Sequence, residues 1–278
     1  SIKRCCNQPG HACFAKDTYW ATCHEICSDE SWGCQKLGDS RVSDAPVAPA
    51  PAGSVAGTSL FCITVTTPGT YEDALVGMQK AQGFGIFGCE ASAVFHGDPS
   101  PRGEWKSVMN TDGFIKVWQA VQADGRWRQK DWTVKVDPDC VFFPTRLIWH
   151  LQKLSPPKAQ SLYLKNCAFK FGFMGSLEIM NKHALEAYFK DSGSCEEHLG
   201  HNGGEDFYLM TCLDAIGVGH MKDVELLKDK YTWPDMFFSP EDTDFCADGA
   251  KVAFHPFKKD YLWTQCREKA LRAEDQGR

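Results

Sequence analysis

Long apolar runs are missing from this chain. No stretch of its 278 residues approaches the ~18 consecutive apolar positions of a membrane helix. An excess of basic charge is missing too. The 30 Lys and Arg stand against 36 Asp and Glu, and a formal net charge of −6 leaves no electrostatic footprint for nucleic acid. No Asn-x-Ser/Thr sequon occurs, so N-glycosylation is not expected, and nothing repeats at a solenoid period. The first residue is Ser1 rather than methionine, as processing or trimming would leave it, and whether a signal or anchor precedes it stays open. With 43% apolar residues, the expectation is a soluble globular protein with one substantial core and an appendage.

Cysteine is what the chain has in abundance. Of 14, six fall in the first 34 residues: Cys5, Cys6, Cys13, Cys23, Cys27 and Cys34. A segment that short builds little core of its own, and such density reads as a disulfide framework. A zinc site is the competing reading, but it needs thiolates paired at short spacing, which only Cys23 and Cys27 approach. The other eight are spread out and even in number, consistent with further bridges. The expected compartment is oxidising, either the secretory lumen (Golgi) or the extracellular space.

Texture divides the chain into a cysteine-dense module at 1–38, a Pro/Ala-rich linker at 39–58 and a larger domain at 59–278. In the last, "SLFCITVTT" reads as a buried strand, and "TYEDALVGMQKAQ" as a helix with Ala74, Leu75, Met78 and Ala81 on one face. "FGIFGCEASAVF" predicts a second strand and "TDGFIKVWQAVQA" a helix opening at Thr111 or Asp112. "DWTVKVD" is the next strand, before a helix "RLIWHLQKL" capped by Thr145. "SLYLKNCAFKFGFMGS" predicts one or two strands, while "NKHALEAYFKD" and "EDFYLMTCLDAIGV" read as helices. This alternation predicts an α/β fold, a mixed sheet covered on both faces by helices.

In such sheets ligands collect at the carboxyl ends of strands. There the chain places Asp137-Pro138-Asp139, two carboxylates separated by a proline that stops the ladder. Hard oxygen donors at that spacing suit Mn²⁺ or Mg²⁺; the plain alternative is a solvated turn. With "FGFMGSLEIMNKHALEAY" and "GGEDFYLMTCLDAIGV" downstream, residues 59–266 resemble the GT-A glycosyltransferases, particularly β-1,3-galactosyltransferase-like members. The resemblance implies a GT-A-like (Rossmann-like) sheet, a nucleotide sugar as donor, and a metal bound by Asp137, Asp139 and a late histidine, His255. It implies Lys258 or Lys259 at phosphate, and Asp206 as the base for the acceptor hydroxyl, supported by Glu205. The plain readings are a packed histidine and ordinary helix-start acids. Thr66 and Thr67 at the first strand's end, and Glu90 after the second, are candidates for the nucleoside. His198 and His201 in "CEEHLGHNGGED" lie near two acids as zinc ligands could, but three glycines make the stretch a loop, expected over the acceptor site.

"CFAKDTYWATC" is similar to family 1 cellulose-binding modules, departing from them in the doubled Cys5-Cys6 and the added "EICSDESWGC". That resemblance implies a sugar-stacking platform of Tyr19 and Trp20, with Phe14 or Trp32, and polysaccharide binding; the alternative is that these rings cover the disulfides. The function expected is metal-dependent hexose transfer from a nucleotide sugar, UDP-linked, to a glycan or glycoprotein hydroxyl. The alternative is a non-catalytic carbohydrate-binding or structural extracellular protein retaining the fold. Trp20→Ala is expected to weaken retention on insoluble cellulose; identical retention would return Trp20 to a structural role.

Overall fold

In a computed structural model, the described residues are 57–97, 110–168, 171–232, 239 and 241–276, together with the backbone of three short strands before residue 40. Those strands, β1 (Ala12–Ala15), β2 (Ala21–His24) and β3 (Gln35–Asp39), form an antiparallel sheet in the order β2-β1-β3. Phe14 lies on β1, but its side chain, and Tyr19, Trp20 and Trp32 altogether, are outside the described residues.

The main sheet starts with β4 (Leu60–Thr66), whose seven residues are all buried. A strand with parallel neighbours and helices over both faces needs this continuous apolar run. Its side chains divide by the period of two. Phe61, Ile63 and Val65 pack under helices α2 (Thr111–Asp124), α4 (Lys182–His198) and α5 (Glu205–Ala215). Leu60 and Cys62 join the opposite layer with Leu147 and Leu151 of α3 (Pro144–Leu154). Parallel to β4 run β5 (Ala91–His96) and β6 (Trp132–Val136). Beyond β6 the order continues with β9 (Leu177–Asn181), antiparallel, then β8 (Leu162–Lys165) and β10 (Gly219–Lys222). The expected mixed α/β sheet covered by helices is therefore present.

A second, three-stranded sheet joins β7 (Val141–Phe142), β11 (Leu227–Asp229) and β12 (Ala253–His255) in the order β11-β12-β7. Under it pack Leu75 of α1 (Tyr71–Gln82) and Leu262, Trp263 and Cys266 of α6 (Asp260–Gln276). Asp137–Asp139 are the whole connection, with Cys140, between β6 in one sheet and β7 in the other.

Local chemistry explains the boundaries. Thr70 caps α1 by accepting from the Glu72 N–H, and Gly83 ends it at φ 66°. The buried face of α1 is Leu75, Val76 and Gln79, whereas Ala74 and Ala81 are exposed; the predicted face was rotated because Gln79 is held inside by a hydrogen bond. Thr145 does not cap α3. Phe143 is its N-cap and Pro144 its first residue, where a missing N–H costs nothing. The helix α4 runs on to His198 and α5 opens at Glu205, so only the middle of "CEEHLGHNGGED", 199–204, is loop.

Three disulfides join six of the eight later cysteines: Cys62–Cys89, Cys195–Cys212 and Cys246–Cys266. Cys140 and Cys167 are buried outside these bridges. Among the described residues no helix is long and apolar enough to cross a membrane.

Asn181 ties three elements together. Its Oδ1 accepts from the N–H of Ala184 (2.9 Å) and of Leu162 (3.0 Å), and its Nδ2 donates to Gln160 O at 2.7 Å. Asn181→Ala removes the α4 cap and strands buried polar groups. It is expected to cost about 2 kcal/mol in urea unfolding, with Asn181→Asp recovering the cap but not the Gln160 bond.

Candidate metal centre and the acidic pair beside it

The turn between the two sheets is fixed by its backbone. Cys140 N–H donates to Asp137 O at 3.0 Å across Pro138 and Asp139, closing a β-turn with proline in its favoured second place. Gln79 Nε2 donates to Pro138 O (2.8 Å), Phe257 N–H to Asp139 O (2.8 Å) and Trp263 Nε1 to Cys140 O (3.1 Å). Each carbonyl is thus held by a different element, and the side chains of Asp137 and Asp139 are left for chemistry.

Asp137, Asp139 and His255 come together as expected: one potential ligand atom from each lies within 4.8 Å of the others. Asp139 and His255 are buried, with Asp139 Oδ1 3.4 Å from His255 Nε2. On its other side, His255 Nδ1 meets Asp229 Oδ2 at 2.7 Å. A carboxylate only accepts, so Nδ1 carries a proton toward Asp229, and Nε2, turned to the acids, carries one only while the ring is an imidazolium. Asp229 is itself fully buried and held by Ser176 Oγ (3.1 Å) and the Tyr231 N–H (2.8 Å). Carboxylate–imidazole pairs of this kind orient histidine ligands. Burial alone would lower the imidazole's pKa, but Asp139 and Asp229 outweigh it and raise it to about 10. Burial also acts to raise Asp139, and His255 overcomes it and holds the carboxyl below its ordinary value. Asp137 is pushed up by burial and by Glu205 and Asp139, against the pull of Lys135. Glu72 is raised by burial and by both aspartates. The group carries more negative charge than His255 and the neighbouring lysines offset, and its oxygen-plus-imidazole donors suit Mn²⁺ or Mg²⁺.

Lys135 lies between this centre and Glu205. Its fully buried Nζ pairs with Asp137 Oδ1 at 2.6 Å and Glu205 Oε1 at 3.1 Å, and donates to Gly175 O at 2.6 Å. An ammonium has three N–H groups, and all are used. Its fourth neighbour, Glu178, is its cross-strand partner in β9 and is buried with neither carboxyl oxygen hydrogen-bonded by a described group. Burial drives Glu178 well above the ordinary carboxylate range, aided by Glu205, Asp206 and Asp137 and opposed by Lys135.

Asp206 opens α5. It accepts from the Phe207 N–H at 2.7 Å through Oδ1 and from the Gly175 N–H at 3.2 Å through Oδ2. Burial and the adjacent Glu205 raise its pKa to about 6, against those two N–H groups and Lys135. Glu205's own N–H donates to Asn110 Oδ1 at 2.9 Å, so the helix is capped from α2's side. The glycines before it do not supply a left-handed turn: Gly204 has φ −73°. A Cβ there would lie 2.9 Å from Asp206 Oδ1, and one on Gly175 2.6 Å from Glu205 Oε1. Both glycines are there for close approach.

The remaining candidates disperse. Thr66 Oγ1 is 3.0 Å from His96 Nδ1, and the Thr67 N–H donates to Glu72 Oε2 at 2.6 Å, both at the carboxyl edge of β4 beside the acids. Glu90 precedes β5 rather than following it, so it lies at the opposite edge of the sheet and pairs with Lys130 at 2.7 Å; this corrects its placement with the nucleoside. Lys259 is exposed and pairs with Glu241 at 2.7 Å. Lys258 is the lysine facing the centre: it sits 5.6 Å from the Tyr71 ring and helps hold Asp139 down. His201 pairs with Asp112 at 2.6 Å and His198 with Ser194 O within α4. Asp229, Lys135, Glu178 and Asn110 were not singled out from the sequence, although a lysine amid the apolar run of β6 was a visible signal.

No protein-family model matches the chain, and no curated protein does. Among solved structures it is similar to one described as the crystal structure of a glycosyltransferase involved in the glycosylation of the major capsid of PBCV-1. The two share 15% identity over 78% of this chain and 99% of that one, with a TM-score of 0.47. A likeness that loose carries no argument; the chain's own residues do.

Lys135→Met leaves several acids without their counter-charge. It is expected to cost about 3–5 kcal/mol at pH 7, the cost shrinking as pH falls and the acids take up protons. That decline belongs to the acids, of which Asp137 and Glu178 already lie above their ordinary values. Lys135 stays charged, since burial opposes its charge but Asp137, Glu205 and Glu178 outweigh it and raise it well above its ordinary value. The lysine's own titration thus leaves its contribution intact below the ordinary lysine range and removes it only as pH rises through the folded value. Urea unfolding of both forms across pH 5–9 checks this.

Proposed function

We propose that the chain is a GT-A-like, divalent-metal-dependent glycosyltransferase. It moves a hexose from a nucleotide sugar, UDP-linked, to a hydroxyl of a glycan or glycoprotein. The observation that carries this reading is the juxtaposition of an Asp-Asp-His ligand set with a raised carboxyl, Asp206, across one buried lysine.

Asp137, Asp139 and His255 would hold Mn²⁺ or Mg²⁺, which when bound neutralises charge on a departing diphosphate. The chain's own groups do the rest. Asp229 keeps the His255 proton on Nδ1 and Nε2 aimed at the acids. Lys258 adds a positive charge at the phosphate side, and Thr66 and Thr67 flank the nucleoside. Asp206 takes the proton from the acceptor hydroxyl as that oxygen attacks. A carboxyl poised at about 6 is largely ionised at neutral pH and still more basic than an ordinary aspartate. Lys135 fixes Glu205 beside it, so the base keeps its position when the proton arrives.

The chain would comprise the cysteine-rich module at 1–38, which binds polysaccharide through Tyr19 and Trp20, the linker at 39–58 and the transferase domain at 59–278. A tethered module raises the local concentration of a polymeric acceptor. The disulfides support a secretory lumen or the extracellular space as its compartment.

Asp139→Asn is expected to abolish Mn²⁺-dependent UDP binding in calorimetry with the circular dichroism spectrum unchanged; unaltered affinity would remove Asp139 from the site. Turnover is expected to rise with pH through about 6 and level off above it, because only the ionised Asp206 accepts a proton. Asp206→Asn should lose that limb and at least about a hundredfold in rate. A preserved limb in the variant assigns the titration elsewhere, and intact binding without any turnover points to the non-catalytic carbohydrate protein.

A further inference from the structure

Three of the exposed aromatic side chains among the described residues adjoin this site. Among the described residues five large hydrophobic side chains are exposed: Tyr71, Trp149, Phe207, Tyr231 and Tyr261. Two of them adjoin the metal ligands. The Tyr71 hydroxyl donates to Asp139 Oδ2 at 3.4 Å, and the Tyr231 ring lies 5.6 Å from that of His255. A third, Phe207, 43% exposed, follows Asp206 directly and donates its N–H to that carboxylate. Its ring lies 5.3 Å from Phe171, at 64°. Phe171 belongs to the segment that ends at Gly175, whose N–H holds the other Asp206 oxygen. The same two pieces of chain therefore build both an apolar ring pair and the grip on a basic carboxylate.

We infer that Phe207, supported edge-on by Phe171, is the stacking platform for the acceptor, and that the acceptor group is a pyranose ring rather than a peptide side chain. A pyranose has one face of C–H bonds and a rim of hydroxyls. An aromatic face beside a carboxylate satisfies both at once: the ring covers the C–H face, and a rim hydroxyl reaches Asp206. A serine or threonine hydroxyl on a peptide brings no such face. The inference rests on Asp206 handling the acceptor, and it leaves Tyr71 and Tyr231 to the donor side. A pyranose ring of a free glycan and one already carried by a protein offer the same face.

The test uses the full chain with Mn²⁺ and UDP. Saturation-transfer NMR with a panel of methyl hexopyranosides is run on the wild type, on Phe207→Leu, which keeps apolar bulk but not the ring, and on Phe207→Ala. The expected result is saturation of ring protons on one face of at least one pyranoside in the wild type. Its apparent affinity should fall about five- to tenfold in both variants, with unfolding temperature and calorimetric Mn²⁺–UDP affinity unchanged. Equal saturation in Phe207→Ala overturns the platform, as does a wild type that binds none of the panel or that binds a Ser/Thr peptide instead. A glycopeptide bearing the same hexose, compared with the free pyranoside, distinguishes a protein-borne acceptor from a free glycan. Calorimetry reports separately on the nucleotide reading: loss of Mn²⁺–UDP binding in the wild type defeats that reading whatever the pyranosides do.

Discussion

Lys135 sits in β6 between two valines that face the opposite core layer, and its ammonium ends among Asp137, Glu205 and the Gly175 carbonyl with no access to water. An isolated charge in that position would not survive folding, and neither would the acids around it. Each depends on the others being in place. Because the three partners come from a strand end, a helix start and the segment before β9, their packing and their electrostatics fix a single relative placement. The acids at the end of β6 and those at the start of α5 are held at one separation by a single cation.

The candidate metal centre has a second, independent support. The Asp-Pro-Asp turn is where the chain leaves one sheet and enters another, so neither sheet alone could build the site. The large sheet supplies the strand whose end carries Asp137, and the small sheet supplies Asp229 and His255 as parallel neighbours in register, Asp229 opposite His255. A lateral pair of strands is a stiff mount for a ligand and the group that orients it. The acids at α5 are mounted differently, on a helix N-terminus whose cap comes from Asn110, and both glycines nearby are there to let oxygen atoms approach.

Much of this was legible in the residues. The seven-residue apolar run of β4, the strand before Asp137 and the helices opening at Thr111 and Glu205 follow directly from periodicity and turn chemistry, and so does the strand-end placement of the two aspartates. His255 joined them only through a family resemblance, since nothing in "VAFHPFKKD" points to a partner far upstream. What could not be read were the groups defined by long-range contact: Asp229 beside His255, Glu178 opposite Lys135, and Asn110 as a cap for a helix far along the chain. Glu90 was misplaced because a 3₁₀ turn at Gly85–Gly88 delays the start of β5, and that delay moves the residue from the strand's end to its beginning. Gln79 rotated the expected face of α1 for a similar reason, a polar side chain buried by a single backbone carbonyl.

The lateness of β12 in the chain also bears on how the protein is made. A chain emerging in order from its amino end can lay down β4, β5, β6, β9 and β8 and pack α2 to α5 on them while Asp137 and Asp139 still lack their imidazole. Domains commonly begin to fold during synthesis, so the large sheet can be settled before His255 exists. The small sheet then closes around β7 when β12 arrives, and α6 follows to pack beneath it. Closure of the Asp-Asp-His group is thereby deferred until β12 has been made, and a chain interrupted before Ala253 would carry most of the large sheet without the finished group.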